Sequence, residues 1–360
     1  MVIKNNKSLI DSIESLIETN NLNMSLSDMF SELVGNQGIA NKKEAELITK
    51  RFNISEKDYL LNKYKEYFDI DFDDEDNSYI FDNFIDPSIQ SSDINKYLNN
   101  PYYKNIKIEN VKFKDYEIIT DHYEEYELFP YLDIKVDKNY VELNSFSFFN
   151  QKFPFIAINH KGVTWMSITP NEIETMEKAV KAAYGDVVVY GLGLGYYPYM
   201  ISLKEIVNEI VIVEKDKDII ELFKKYILPQ FKHKEKITII NADAFEYMQE
   251  TRYFDCAFVD LWHDPLDGIE LYLKTKKTEK EETQYFYWLE SSFYALLRRC
   301  FISLLEEQLS NAPESAYQKS KCFTDTIINT YYKKTKNLVL DDEQQLQDLL
   351  RDSNLLNMLI

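Results

Sequence analysis

The chain has 360 residues, 45% of them hydrophobic, and its 61 Asp and Glu against 41 Lys and Arg give a net charge of −20. That length and apolar content exclude a disordered chain and allow two or three domains. The negative field argues against a nucleic acid substrate, the basic stretches at 274–280 and 333–334 reading as solvated surface.

Residues 1–66 are predicted to be helical. Leu9, Ile10, Ile13, Leu16 and Ile17 recur at helical spacing. A second helix is predicted over 25–35 with Ser25 or Ser27 as cap, a third after Asn41, and a fourth from Ser55, with Glu56 and Asp58 in its first turn. Three roles are open to this cluster: partner binding, dimerisation, or a lid. The acidic run 69–76 resembles a calcium loop only superficially. The loop formula wants glycine at position 6 and glutamate at position 12, and counting from Asp69 those places hold Asp74 and Ile80.

Residues 101–168 are rich in Tyr, Phe, Ile and Val alternating with polar residues, as in Tyr140-Val141-Glu142-Leu143-Asn144, and predict a small antiparallel β domain. Its last strand, 155–159, turns at His160-Lys161-Gly162 and resumes over 163–168. Thr169-Pro170-Asn171-Glu172 then has the spacing of a capping box with proline at the first helical position, opening a helix over 171–183.

That helix leads into Val187-Val188-Val189-Tyr190-Gly191-Leu192-Gly193-Leu194-Gly195, a buried strand ending in a glycine turn, followed by a helix from Tyr196. Such a corner lets a ligand approach the backbone without a Cβ in the way. A second apolar strand ends on Glu214, 19 residues after Gly195, where a carboxylate can accept hydrogen bonds from two ribose hydroxyls. A third strand leads to Asn241-Ala242-Asp243-Ala244, and a fourth, 254–260, to Leu261-Trp262-His263-Asp264-Pro265. Cys256 reads as a small hydrophobe within that strand, and Cys300 and Cys322 complete three scattered cysteines without metal-ligand spacing. Residues 282–309 read as helical throughout, only 337–340 as a later strand, and 343–359 as helix.

The spacing Gly-x-Gly-x-Gly, with Tyr196 where a dinucleotide site wants a third glycine, resembles the first motif of the class I S-adenosylmethionine (SAM)-dependent methyltransferases over roughly residues 169–275. The resemblance implies SAM or S-adenosylhomocysteine as ligand. It implies a cofactor site of Gly191, Gly193, Gly195, Tyr196, Glu214, Asp243, Ala244 and Asp260, with Asp243 on the adenine amino group and the Ala244 backbone beside it. The order of β domain, hairpin, helix and glycine strand also resembles the polyamine aminopropyltransferases, the spermidine synthase family, which use decarboxylated SAM. Against that pattern the glycine turn here alternates with leucines, and Asp260-Leu261-Trp262-His263-Asp264-Pro265 is one residue longer and bulkier. The combination is also similar to uncharacterised bacterial proteins of the superfamily.

The expected fold is α/β. A Rossmann-like doubly wound sheet (169–275), shortened at one edge or completed differently, follows an N-terminal helical region (1–100) and the small β domain (101–168), and a helical region (276–360) packs on it. Asp260, His263 and Asp264 fall at the carboxyl end of the fourth strand, where ligands of doubly wound sheets sit, and are the candidate catalytic residues. Their spacing matches no metal-ligand set, so no metal is expected. Tyr196, Tyr197 and Tyr199 are expected to wall the pocket. Three functions are open: a SAM-dependent methyltransferase acting on a small molecule or protein side chain, an aminopropyltransferase-like enzyme, and a non-catalytic module acting through protein partners. A homodimer through the helical regions is a further expectation. Strand-length apolar runs, an N-terminus without a signal-peptide core and the unpaired cysteines predict no membrane partner and a cytoplasmic location.

Overall fold

The computed structural model describes residues 1–34, 37–67, 74–249, 252–310 and 322–360. The N-terminal region begins with α1 (Lys7–Val34), α2 (Lys42–Phe52) and α3 (Glu56–Tyr67). Two helices were expected where α1 is one. No Gly or Pro interrupts it, and Asn20 and Asn23, which look like a break, are buried on its inner face. Asn23 Nδ2 donates to the Tyr140 carbonyl (3.0 Å) and its Oδ1 accepts from the Glu142 amide (2.9 Å), so a polar residue docks the β region on the helix. Asn41 caps α2 as its position suggests, accepting from the Glu44 amide at 2.9 Å. Most of the acidic run 69–76 lies outside the described residues; Asp74 caps a short helix, Glu75–Ile80.

The β region is an antiparallel sheet of β1 (Val111–Phe113), β2 (Tyr116–Tyr123), β3 (Phe153–His160) and β4 (Val163–Ser167), in the order β4-β3-β2-β1. β structure also begins before residue 101: Ile89–Ser91 pairs with Phe146–Phe148 in a separate three-stranded sheet. Residues Pro101–Asn105 form a helical turn rather than a strand, because Asn100 caps it and proline occupies its first position.

Helix α4 (Pro170–Ala182) follows the β3–β4 hairpin. Its proline stands in the first turn as expected, but the Thr169 side chain makes no capping bond, so the capping box does not form. Glu172 is turned elsewhere.

The second half is one parallel sheet: β5 (Gly185–Tyr190), β6 (Val207–Glu214), β7 (Ile237–Asn241), β8 (Cys256–Val259) and β9 (Gln284–Tyr287), ordered β7-β6-β5-β8-β9. Val187 sits beside both Ile210 and Cys256, and residues 187–190, 210–213 and 256–259 are buried, as continuous apolar runs in a doubly covered parallel sheet should be. The connecting helices are α5 (Tyr196–Ser202), α6 (Lys217–Leu222), α7 (Ala244–Met248) and α8 (Pro265–Lys276). The fold is therefore Rossmann-like, and among the described residues its sheet ends at β9, so it is shortened at that edge; the reading of 282–309 as helix throughout is what is corrected there. Gln284-Tyr285-Phe286-Tyr287 is an aromatic fifth strand paired with β8, and the following helix, α9 (Glu290–Leu309), starts only after Leu289 takes a left-handed turn (φ 55°). Phe286 and Leu289 keep helical spacing with Phe293 by coincidence, which is why the segment reads as one helix. No further strand joins this sheet among the described residues; Val339–Leu340 instead pairs in parallel with Val2–Ile3.

Helices α10 (Phe323–Thr335), α11 (Glu343–Leu349) and α12 (Asp352–Asn357) close the C-terminal region. Helix α9 packs on α1, α10 and α12, so the two terminal helical regions form one layer. Among the described residues no helix is long and apolar enough to cross a membrane.

Candidate active site

In an open parallel sheet a crevice forms outside the strand carboxyl ends where the strand order reverses. Here that point lies between β5 and β8, and a cavity of about 520 Å³ opens there. The sheet order sets its polarity: Asp243 follows β7, Glu214 ends β6, the glycine turn follows β5, Asp260 follows β8, and Trp288 follows β9.

The glycine turn has positive φ at Gly191 (96°), Gly193 (55°) and Gly195 (75°). At Gly191 a Cβ would lie 2.0 Å from the Asp260 carbonyl oxygen, and at Gly195 it would lie 2.4 Å from the Phe223 ring. The turn can pass between these neighbours only as glycine.

Glu214 is pinned to that turn. Its Oε2 accepts from the Leu192 amide (3.1 Å) and its Oε1 from the Asp216 amide (2.8 Å). Burial raises its carboxyl above the ordinary value even though these amides favour the charged form. Asp243 caps α7, its Oδ1 accepting from Phe245 (2.8 Å) and Glu246 (3.2 Å), and it lines the cavity together with Ala244.

Asp260 lines the cavity from the end of β8, its amide donating to the Tyr190 carbonyl at 2.9 Å. Burial pushes its carboxyl up to about 7, with His263 opposing and Glu214 adding to the rise. Glu172, from the first turn of α4, lines the same cavity and is raised well above the ordinary carboxyl value by burial and by the charge of Asp260. Its spacing from Thr169 is that of a capping box. The same spacing of an acid three residues into a helix serves either role, and only the helix's place over the sheet separates them.

The other candidates at this strand end divide. His263 is exposed at the cavity rim, its Nδ1 2.8 Å from Asp267 Oδ2. Asp264 is not among the residues lining the cavity. It caps α8 in a reciprocal box with Asp267, accepting from the Leu266 (2.7 Å) and Asp267 (3.0 Å) amides, so its expected catalytic place is corrected to a helix cap. Trp262 is buried; its indole donates to the Trp288 carbonyl (3.1 Å) and its ring packs on Phe293 and against Gly268.

The tyrosines of α5 mostly anchor rather than wall. Tyr196 and Tyr197 line the cavity, but Tyr196 accepts from Asn100 Nδ2 (3.1 Å), Tyr197 stacks on Phe258 (4.0 Å), and Tyr199 accepts from Asn105 Nδ2 (2.8 Å) away from the cavity. The remaining walls were not foreseen. Trp165 and Met166 come from β4, Met176 from α4, and Trp288 from the end of β9, so all three tryptophans of the chain line this one cavity. Trp288 Nε1 donates to Thr175 Oγ1 at 2.9 Å, which holds the start of α4 over the β8–β9 side.

The arrangement offers acceptors for a nucleoside along β7 and β6 and carboxylates beside β8. Residues 174–276 match the spermine/spermidine synthase domain, a stretch that runs from α4 through α8 and contains the glycine turn, Glu214, Asp243 and Asp260. Among solved structures, spermidine synthase from Thermotoga maritima shares 18% identity over 49% of this chain and 69% of its own, with a TM-score of 0.30. A spermidine synthase in complex with the transition state analogue AdoDATO shares 18% over the same shares, with a TM-score of 0.29. A structure from Klebsiella pneumoniae described as an O-methyltransferase shares 14% identity over 29% of this chain and 47% of its own, with a TM-score of 0.23. No curated protein matches the chain at a significant level. The chain thus has a SAM-dependent methyltransferase-like fold with similarity to the spermidine synthases.

Proposed function

We propose that the chain is an aminopropyltransferase-like enzyme, moving an aminopropyl group from decarboxylated SAM to an amine. The match of residues 174–276 to the spermine/spermidine synthase domain favours this over methyl transfer. The observation that carries it is the half-buried Asp260 carboxyl beside the glycine turn, with a second carboxyl, Glu172, lining the same cavity.

The residues present fit a sulfonium nucleoside. Glu214 has lone pairs left for two ribose hydroxyls after its two amide bonds, and Asp243 keeps Oδ2 for the adenine amino group. The glycine turn brings backbone close without side-chain bulk. When bound, such a nucleoside supplies an electrophilic alkyl carbon and a neutral thioether as leaving group.

Asp260 holds the acceptor amine and takes its proton. A carboxyl raised to about 7 is a better base than an ordinary one and is still substantially ionised near neutrality. In the turn after Asp260, Trp262 is buried while still lining the cavity, and Asp264 is used as a cap.

The test is product identity. With decarboxylated SAM and a panel of diamines, the expected product is 5′-methylthioadenosine together with the aminopropylated amine, and Asp260→Asn should stop turnover while keeping nucleoside binding. Formation of S-adenosylhomocysteine from SAM instead would return the protein to methyl transfer.

A further inference from the structure

We propose that the acceptor is a primary amine with an aromatic or other apolar body, rather than a diamine, and that this body lies against Trp288 on the β9 side of the cavity. The inference rests on the aminopropyl reading above and adds the acceptor's class to it.

The place of the acceptor follows from the sheet order. Asp243 after β7 and Glu214 at the end of β6 are given to the nucleoside, so an amine held at Asp260 extends its far end toward β9. The wall on that side is Trp288 from the end of β9, Trp262 from the turn after β8, Leu271 from α8 and Met176 from α4. Both indoles have spent their single donor. Trp262 Nε1 donates to the Trp288 carbonyl (3.1 Å), and Trp288 Nε1 donates to Thr175 Oγ1 (2.9 Å). What they present to a ligand is carbon, and Leu271 and Met176 add carbon and sulfur.

A diamine needs a carboxylate for its second ammonium. Among the described residues the acids lining the cavity are Glu172, Glu214, Asp243 and Asp260, and none of them comes from β9 or α8. The acids near the end of β9 are committed elsewhere. Glu290 accepts from the Tyr272 phenol (3.0 Å) and pairs with Lys276 (2.9 Å), and Glu279 accepts from the Tyr287 phenol (2.7 Å). Asp264 caps α8, and His263 at the rim is bonded to Asp267. Glu172 stands a helical turn before Thr175, the residue at which α4 meets Trp288. A tryptophan face attracts a cation, but too weakly to offset stripping an ammonium of water without a counter-charge. An apolar body gains by leaving water at the same place.

The transfer balances for such an acceptor. The amine lone pair attacks the propyl carbon next to sulfur and the N–C bond forms. The C–S bond breaks with its electron pair going to sulfur, and the proton lost from nitrogen passes to the Asp260 carboxylate. The products are the N-aminopropyl amine and 5′-methylthioadenosine.

The experiment is a competition assay of the full chain with decarboxylated SAM and equal concentrations of phenethylamine and putrescine, a four-carbon diamine, the products being separated by mass spectrometry. Wild type should turn over phenethylamine with a kcat/KM at least about tenfold higher, as expected for burying one ring, while putrescine reacts slowly. Leu271→Glu puts a carboxylate on a half-buried part of this wall. It should shift the ratio toward putrescine by about tenfold and leave 5′-methylthioadenosine binding unchanged. If neither amine yields 5′-methylthioadenosine, the aminopropyl reading falls and the acceptor class with it. If 5′-methylthioadenosine forms but the wild-type ratio is below about tenfold, the acceptor class alone is overturned. An unchanged ratio in folded Leu271→Glu overturns the placement on the β9 side. The wild-type ratio remains decisive if that variant does not fold.

Discussion

The phenol of Tyr116 donates to Asp216 Oδ2 at 2.6 Å, and the Asp216 amide donates in turn to Glu214 at 2.8 Å. The β region is thereby joined to the carboxylate that would hold the ribose. Tyr116 also stacks on His160 (4.6 Å) and leans on Trp165 (5.4 Å), a cavity wall. Tyr116→Phe should therefore lower nucleoside affinity several-fold and cost roughly 1–2 kcal/mol of stability, both read by titration calorimetry and urea unfolding. Lys114→Ala, which removes bridges to Asp218 and Glu221 at the same contact, should leave affinity within twofold, because those bridges are solvent-exposed.

The same contact has a pH signature. Burial pushes Asp216 upward, but the Tyr116 phenol and the Ile219 and Asp218 amides outweigh it and hold the carboxyl below its ordinary value of 3.8. A depressed native pKa contributes stability that is present above 3.8 and lost as pH falls through the lower native value. Acid unfolding followed by circular dichroism should show a loss below about pH 4 that is smaller in Tyr116→Phe.

Asp260 works with the opposite sign. Its carboxyl is raised from 3.8 to about 7, so it favours the folded state fully below 3.8 and loses that contribution as pH rises through about 7. Thermal melts of the free protein should fall between these limits, and Asp260→Asn should flatten the fall. In turnover, kcat/KM should rise with pH along a limb centred near 7, and Asp260→Asn should lower kcat by on the order of 10²-fold or more.

Gly191→Ala places a methyl 2.0 Å from a backbone oxygen at a φ of 96°. That oxygen is backbone rather than the end of a flexible side chain, so the strand ends of β5 and β8 must move apart. A stability loss of about 2 kcal/mol or more is expected, together with loss of nucleoside binding, measured by chemical unfolding and calorimetry.

Asp264→Ala should behave as a cap deletion. About 1 kcal/mol of stability goes with it, and nucleoside affinity stays within twofold. A large loss of turnover without a stability change would restore a catalytic role to this residue.

The strand ends were legible because each depends on a few adjacent residues. Gly191, Gly193 and Gly195, then Glu214, Asp243 and Asp260, each follow an apolar run, and the parallel sheet places all of them along one edge. Glu172 was visible as an acid but not as a cavity residue, since its role depends on where α4 lies over the sheet. Trp165 and Trp288 reach the cavity from the hairpin and from β9, segments 123 residues apart in the chain, and no local pattern brings them together. β9 was hidden because its aromatic residues continue the spacing of α9, and α1 was divided because buried asparagines mimic a turn. Asp264 misled for a local reason: an Asp before Pro265 suits a helix cap as well as a strand-end catalytic acid.

The most direct measurement is calorimetric titration of wild type and Glu214→Ala with 5′-methylthioadenosine and decarboxylated SAM. A nucleoside site held by Glu214 should give micromolar binding in wild type and at least a tenfold loss in the variant, the equivalent of about 1.4 kcal/mol. No binding of either compound, or equal affinity in Glu214→Ala, would contradict the assignment of this cavity to an adenosyl cofactor.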